Sequence, residues 1–555
     1  MRKAWPKMMS VLLLSLMVFL AGCNFSGNTS SEPEKKDDGE KGTEETETPK
    51  ESVLNLSLDN DIPDLNQVKT TDAISFGILN NVMEGLYRLD ENNEPTPAMA
   101  ESVQESEDGL TYTFTLKDGV KWSNGDPVTA NDFKYSWLRA MHPDTSGSYA
   151  FIISDFVKGG AAFAAGEADA EAVGIEVKDD KTLVVTLEQP TPFFLGLTAF
   201  ATYFPLNEKF VTEKGDDFAL NQDSILYNGP YVISKYDQAA GVTLTKNPEY
   251  WDKDNVAIET VNMKVVKETS TALNLYEAGE LDKVYLASAD VNTYKDSEDF
   301  ATETEFRTYF IQFNLGKAPF DNENIRKALQ LAYDPSVLTS VILNNGSAPA
   351  YGLVPENMAG VDGKLYGELE GAQLKQDIEL AKELWAKGVE ELGGEVPQIE
   401  LLTSDDTISK DSGTFLQSEF KKNLGVDVTL VTQPYSGRLD TMRAGDYQMV
   451  INRWGADYND PMTFIELWEN PSNPHFRGNW LNEEFNNLVI AAKSESDDQV
   501  RMDNLMKAEK ILLEEDAVLG PLYYDGLSYL QKPHVKGIVT HPYGASPDLK
   551  WATIE

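Results

Sequence analysis

Few residues in this chain have the type and spacing to do covalent or metal chemistry. Among 555 residues there is one cysteine and there are four histidines. The cysteine, Cys23, follows Leu20-Ala21-Gly22. Two small residues there fit a narrow peptidase site, and the thiol can carry a thioether-linked lipid. His142, His475, His534 and His541 stand at no helical ligand spacing from one another, so no metal is assigned to them. Asp59, Asp61 and Asp64 lack the glycine of a calcium loop. No His-Glu-x-x-His, Gly-x-Ser-x-Gly elbow, phosphate-binding loop or dinucleotide fingerprint is present. Acids number 91 against 47 lysines and arginines, so paired carboxylates arise by chance and mark no acid–base site. The expectation is a chain with no catalytic residues and no cofactor.

The segment around Cys23 says where such a protein works. Arg2, Lys3 and Lys7 precede an apolar run from Val11 to Leu20, too short for a good membrane span. The stretch resembles a bacterial lipoprotein signal. That implies removal of residues 1–22, diacylglycerol and palmitate chains on Cys23, and anchoring on the extracytoplasmic face of the cell membrane, as on a Gram-positive surface. Two acyl chains hold stably where one does not. Residues 23–52 are rich in Gly, Ser, Thr, Glu and Lys and read as a disordered tether. A lone cysteine placed there leaves no disulfide framework.

Roughly 500 residues remain, enough for two to four lobes. No later segment is apolar for eighteen residues. The formal charge of −44 repels nucleic acid and anionic headgroups. It also argues against an anionic ligand unless a local basic pocket opposes the global field.

The elements follow from periodicity. Residues 53–58 alternate as a strand, and a helix is predicted over Ala73 to Glu84, ending at Gly85. Leu110, Tyr112, Phe114 and Leu116 alternate with threonines. Val120 and Trp122 start a second strand before the Asn124-Gly125 turn. Thr129 and Asp132 make a capping box for a helix through Phe133 and Trp137. Further strands are predicted at 182–187, 231–234, 242–245, 261–265, 399–402 and 426–431. Helical faces run over 324–333, 377–391 and 502–513. The mixture points to an α/β fold.

Two stretches carry a family resemblance. One is Ser106 to Phe133, SEDGLTYTFTLKDGVKWSNGDPVTANDF; the other is Arg453-Trp454-Gly455-Ala456-Asp457-Tyr458-Asn459-Asp460-Pro461. With NNVMEGL at 80–86, YNGPY at 227–231, NPEYWD at 247–252, FDNENIRKAL at 320–329 and GPLYY at 520–524, they resemble the oligopeptide- and dipeptide-binding lipoproteins of bacterial ABC importers, the family 5 solute-binding proteins. The resemblance implies a periplasmic-binding-protein-like α/β fold, with two large lobes joined by a hinge and a smaller inserted lobe. Lobe I would gather 53–74, 205–307 and 525–555; lobe II would be 75–204; lobe III would be 308–524. It implies a monomeric receptor, not an enzyme, that binds short peptides as an added strand between two lobes. Its partners would be the permease subunits with their cytoplasmic ATPases, and its role peptide transport, a form of protein transport.

The family motif places the ligand's α-ammonium on Asp457. Asp460 and Pro461 fit the N-cap and N1 of a helix through Phe464 and Leu467, which leaves Asp457 without a capping duty. Trp454 resembles the family's pocket tryptophan, and Gly455 and Ala456 would offer backbone groups at close range. Arg453, Tyr458, Tyr523 and Tyr524 complete the expected site, with alternation sending one of Tyr523 and Tyr524 to the ligand and the other to the core. One departure stands out. Some members carry an arginine six residues before the motif aspartate, near the ligand's C-terminal side; here that residue is Ile451. If Ile451 lines the cleft, the ligand carboxylate is held by another cation or left solvated. Other readings are a chelate, haem or sugar receptor of the same fold, a secreted hydrolase, and a surface adhesin or chaperone.

Overall fold

The computed structural model describes residues 52–145, 147–369, 371, 374–469, 479–495 and 497–555. The signal, Cys23, His475 and all of the tether but Ser52 lie outside the described residues. Three main sheets organise the chain. In the first, Val53–Leu58 buries Leu54 and Leu56 and pairs in parallel with Thr260–Val265. That strand continues antiparallel to Gly241–Lys246, and this one to Tyr231–Asp237. The N-terminal strand is therefore completed by a segment about 200 residues further along the chain.

The second sheet is an antiparallel set in the order Ala100–Glu105, Thr111–Leu116, Thr182–Thr186, Ile175–Asp179. Tyr112 pairs with Val185 and Phe114 with Leu183, all buried, while the threonines between them face outward. Helix Ala130–Met141 opens on the expected Thr129/Asp132 capping box and buries Phe133 and Trp137 completely. The strand expected at Val120 and Trp122 is not formed. Trp122 N already donates to Asp126 O across the Asn124-Gly125 turn, so the hairpin shrinks to a single bridge between Lys121 and Pro127. Val120 and Trp122 are nevertheless buried.

The third sheet runs in the order Lys283–Tyr285, Leu519–Gln531, Phe300–Phe313, Met449–Gly455, Ile399–Ser404, Val428–Gln433. Its outer part is parallel, with helix Thr407–Leu424 as the crossover between Ile399–Ser404 and Val428–Gln433. Gly425, at φ 75°, ends that helix, and the strand expected from 426 starts two residues later. Helix Ile378–Glu391 lies against helix Glu323–Leu331, and Gly388 permits the approach: a Cβ there would stand 2.8 Å from Ile325. Helix Asp498–Lys510 continues as a wider turn over Ile511–Glu515. The helix predicted to end at Glu84 ends at Val82, with Asp72 capping Ser75 N.

Two strands of the third sheet are unusually long. Phe300–Phe313 and Leu519–Gln531 run antiparallel through the whole sheet, and their register breaks between Thr304 and Thr308. Glu305, Phe306 and Arg307 there face a single residue, Asp525. Among the described residues no helix is long and apolar enough to cross a membrane.

A buried ionic network ties the C-terminal segment to the first helix. Arg88 Nε and Nη2 donate to the two oxygens of Asp548 at 2.8 and 3.0 Å, and Nη1 lies 3.4 Å from Glu84. Glu84 also accepts from Tyr250 Oη and Trp251 Nε1, each at 2.5 Å. Burial alone would raise the Asp548 carboxyl, but the Arg88 guanidinium and the His541 ring pull it well below the usual carboxylate range. An acid depressed on folding contributes stability above its unfolded value, and that stability drains away as pH falls through the folded one. Asp548→Ala is expected to cost about 3–5 kcal/mol at pH 7, because it strands a buried guanidinium. Urea unfolding of both proteins would read this, with the gap closing as pH drops below 3.8; equal midpoints at pH 7 would reject the account.

Candidate functional site

Strand Met449–Gly455 carries the motif. It pairs antiparallel with Phe300–Phe313, Arg453 opposite Tyr309 and Gly455 opposite Arg307. Beyond the strand, Ala456 N donates to Phe306 O at 2.7 Å and Ala456 O accepts from Gly544 N at 2.8 Å. The turn that follows is thus pinned between the register break and the C-terminal segment. Both backbone groups of Ala456 are engaged within the protein.

Arg453, Trp454, Gly455, Ala456 and Asp457 line one cavity of about 130 Å³, together with Phe76, Tyr149, Tyr435, Arg438 and His541. Asp457 is 8% exposed. Its N–H donates to Thr463 Oγ1 at 3.1 Å. Its carboxylate has one long hydrogen bond, from Tyr149 Oη at 3.4 Å, and no cation within 4 Å among the described residues. Burial, and then the negative charge of Glu466, push this carboxyl well above its usual range. Trp454 is buried and lies nearly parallel to Tyr149, centroids 6.2 Å apart. Gly455 allows close approach, since a Cβ would stand 3.3 Å from Arg307 Nε.

Asp460 has other duties. It accepts from Met462 N at 2.9 Å and takes a two-pronged pair from Arg501 at 2.7 and 2.8 Å. The helix it starts is short, Met462–Ile465, with Pro461 at the N-cap rather than N1.

Three expected residues lie elsewhere. Tyr458 stacks on Phe193 at 4.3 Å and donates to Glu466 at 2.6 Å, away from the cavity. Its partner Glu466 is pushed up to about 7 by burial, against Lys493 and Tyr458. Tyr523 is fully buried, stacked on Tyr309 at 4.4 Å, and Tyr524 is 8% exposed with its hydroxyl 3.3 Å from Gly352 O. Both faces of the sheet are covered at this point, so alternation sends one tyrosine into each covered layer. The next residue on the Tyr523 face, Asp525, reaches the cleft instead. Ile451 is buried in the core and does not line the cavity.

A second chamber of about 270 Å³ adjoins the first and shares Ala73, Glu305, Arg307, Arg453 and Ser546 with it. At the shared wall Arg307 pairs with Asp525 at 3.1 Å and with Glu305. Burial pushes both carboxyls up, against the Arg307 charge. Sequence reasoning missed Glu305, Arg307, Asp525, Tyr149, Arg438 and His541. They come from separate segments; His541 stands in GIVTHPYGASPDLKW at 537–551, a stretch that shares the family resemblance, and Glu305 and Arg307 stand on a long alternating strand, which were the signals on offer. Among the described residues no group of three or more His, Cys, Asp or Glu is placed to hold a metal ion.

Residues 94–476 match the family model of bacterial extracellular solute-binding proteins, family 5 Middle. The dipeptide-binding protein DppE of Bacillus subtilis is 35% identical over 545 residues, 98% of this chain and 97% of that protein. The substrate-binding domain of an oligopeptide ABC transporter from Bacillus anthracis superposes with a TM-score of 0.87 at 40% identity, over 91% of this chain and 99% of that one. Listeria monocytogenes OppA bound to peptide gives 0.86 at 38%, over 91% and 99%. The chain belongs to the family 5 bacterial extracellular solute-binding proteins. Its architecture is their α/β, periplasmic-binding-protein-like fold of two large lobes with a smaller third.

Asp457→Asn removes a charge while keeping the shape. The folded protein holds the Asp457 proton more tightly than the unfolded chain does, so the parent loses stability as pH rises from 3.8 through the folded value. The ligand-free Asn variant is expected to melt higher than the parent at pH 8, by a margin that shrinks towards pH 5. A lower Tm for the variant at pH 8 would contradict the unpaired carboxylate.

Proposed function

We propose that this chain is an extracytoplasmic receptor that binds short peptides between its two large lobes and delivers them to an ABC permease with cytoplasmic ATPases. The observation that carries the reading is Asp457: a buried carboxylate, with no cation within 4 Å among the described residues, lining a cavity. A buried charge in that state is costly until a partner arrives. A peptide's α-ammonium supplies one charge and three donors, and a charge-assisted hydrogen bond is among the strong ones. The names of the relatives, dipeptide- and oligopeptide-binding, support the same ligand class.

The receptor does no bond chemistry and acts as a monomer. Lobe I comprises 53–74, 205–307 and 525–555, lobe II 75–204, and lobe III 308–524. On that division the long strands Phe300–Phe313 and Leu519–Gln531 cross from lobe I to lobe III, and the register break at 305–307 lies at the boundary. Lobe closure about that point brings Asp457 and its neighbours against the C-terminal segment. Cys23 carries the lipid that holds the receptor on the cell membrane, with residues 23–52 as tether.

Native mass spectrometry of residues 24–555 tests the ligand. The expected result is a ladder of bound masses that fragment as short peptides. N-acetylation of a bound peptide, or Asp457→Asn, is expected to weaken binding about 10- to 100-fold. A single non-peptide mass, or indifference to a mixed peptide library, would refute the reading. Separately, Cys23→Ala in the full chain should move the protein from the membrane fraction to the medium; unchanged membrane retention would disprove the lipid anchor.

A further inference from the structure

The turn after strand Met449–Gly455 is tied down on both sides of Asp457. Before it, the backbone of Ala456 is fixed by Phe306 O and Gly544 N. After it, Tyr458 donates to Glu466 at 2.6 Å and stacks on Phe193, centroids 4.3 Å apart and planes 8° apart. Asn459 accepts from Ala359 N at 3.3 Å. Asp460 takes the two-pronged pair from Arg501 at 2.7 and 2.8 Å, and its own N–H donates to Tyr458 O at 2.9 Å. The chain then turns back on itself. Thr463 N donates to Asp460 O at 3.1 Å, and Thr463 Oγ1 accepts from Asp457 N at 3.1 Å. Two of these ties meet at one ring: Phe193 stacks on Tyr458, and the Arg501 guanidinium carbon lies 5.8 Å from its centroid. Arg501 stands on helix Asp498–Lys510 and is buried. Phe193 comes from a distant part of the chain, between strand Thr182–Thr186 and the short helix Phe194–Leu197. Nearby, Lys493 joins the same two parts, reaching Asp155 at 3.3 Å and Glu469 at 2.7 Å.

A carboxylate binds an ammonium strongly only if it already stands where the ammonium arrives; a group that must be ordered on binding loses part of the gain to that ordering. A forked guanidinium–carboxylate pair fixes distance and plane together. A stacked aromatic pair adds a preferred geometry of its own. We propose that Arg501 and Phe193 are positioning residues for the ligand's amino end: they hold Asp460 and Tyr458, and through them the turn that presents Asp457. Neither residue lines the cavity, so neither acts by touching the ligand. This rests on the peptide reading above. It also gives the small inserted lobe a part in recognition. On the proposed division Phe193 and Asp155 belong to lobe II, while Asp457, Lys493 and Arg501 belong to lobe III. The turn is thus gripped from its own lobe by Arg501 and from the inserted lobe by Phe193.

Calorimetric titration of the ligand-free protein with Ala-Ala-Ala and with N-acetyl-Ala-Ala-Ala tests this, because the ratio of the two affinities reads the Asp457 contact. The unaltered protein is expected to favour the free amine about 10- to 100-fold. Arg501→Gln and Phe193→Leu should each cut that ratio about 3- to 10-fold and leave the affinity for the acetylated peptide nearly unchanged. Arg501→Lys keeps the charge without the fork and should restore part of the ratio. If Arg501→Gln does not fold, Phe193→Leu, which keeps an apolar side chain there, carries the test. A merely structural role would lower both affinities together, or Tm alone; a ratio kept by both variants therefore overturns the positioning proposal and leaves the peptide reading standing. A ratio near one in the unaltered protein overturns the reading of Asp457, and this proposal with it. Binding of neither peptide overturns both.

Discussion

The cost of keeping charge out of water is the constraint on which the rest of this structure depends. Asp457 lies at one end of the cleft with no cation within 4 Å among the described residues, and Arg438 lies in its wall with no carboxylate within that distance. An isolated buried charge is costly enough that a fold keeps it only where something else holds the geometry rigid. Here the frame is built from buried charges held by several hydrogen bonds or ion pairs each. Arg88 grips Asp548 with two hydrogen bonds, and Glu84 is closed off by Tyr250 and Trp251. Glu509 accepts from Leu353 N, Val354 N and Tyr366 Oη. Lys493 binds Glu469 and Asp155 and lies 3.7 Å from Glu466, next to the Asp457 layer. The groups so held join distant segments, and Asp457 and Arg438 line the cavity.

That division reconciles the overall charge with a zwitterionic ligand. A strongly acidic surface keeps the protein soluble and dispersed, and it sets a long-range field that disfavours anions. Salt screens that field beyond about 8–10 Å. Inside the cleft the local dipoles and guanidiniums dominate, because the low dielectric strengthens near charges and the solvent that would screen them is excluded. A zwitterion has little net interaction with the distant field, and on the reading proposed above its ammonium has a large one with Asp457.

Much of this was legible in the sequence, and the legible part was local. Alternation of Tyr112, Phe114 and Leu116, the Thr129/Asp132 box, and the freedom of Asp457 beside an occupied Asp460 are all short-range patterns, and short-range physics decides them. The strand at Val120 failed because two residues before a tight turn cannot sustain a ladder. Tyr523 and Tyr524 were misjudged because alternation distinguishes two faces but not whether both are covered. Arg438, Arg307 and Asp525 were invisible for a different reason. Their meaning arises only when strands from three parts of the chain are laid side by side, and no local pattern encodes that register.

Register also explains why the cleft charges converge where they do. In a regular antiparallel pair, residues on one strand meet residues on the other one for one, and like faces stay alike. Three residues, Glu305 to Arg307, meet one, Asp525, between the long strands. The extra residues bend and twist the pair. Glu305, Arg307 and Asp525 are thereby gathered at a single point, between the chamber of Asp457 and the larger one. A bend in shared strands is also where two lobes can rotate with least disturbance to their cores, since the ladder is already interrupted there. On the lobe division proposed above, the same irregularity shapes the wall of the site and interrupts the sheet at the proposed boundary. Arg307 is held there by two carboxylates, Glu305 and Asp525, whereas Asp457 on the neighbouring wall has no cation within 4 Å among the described residues.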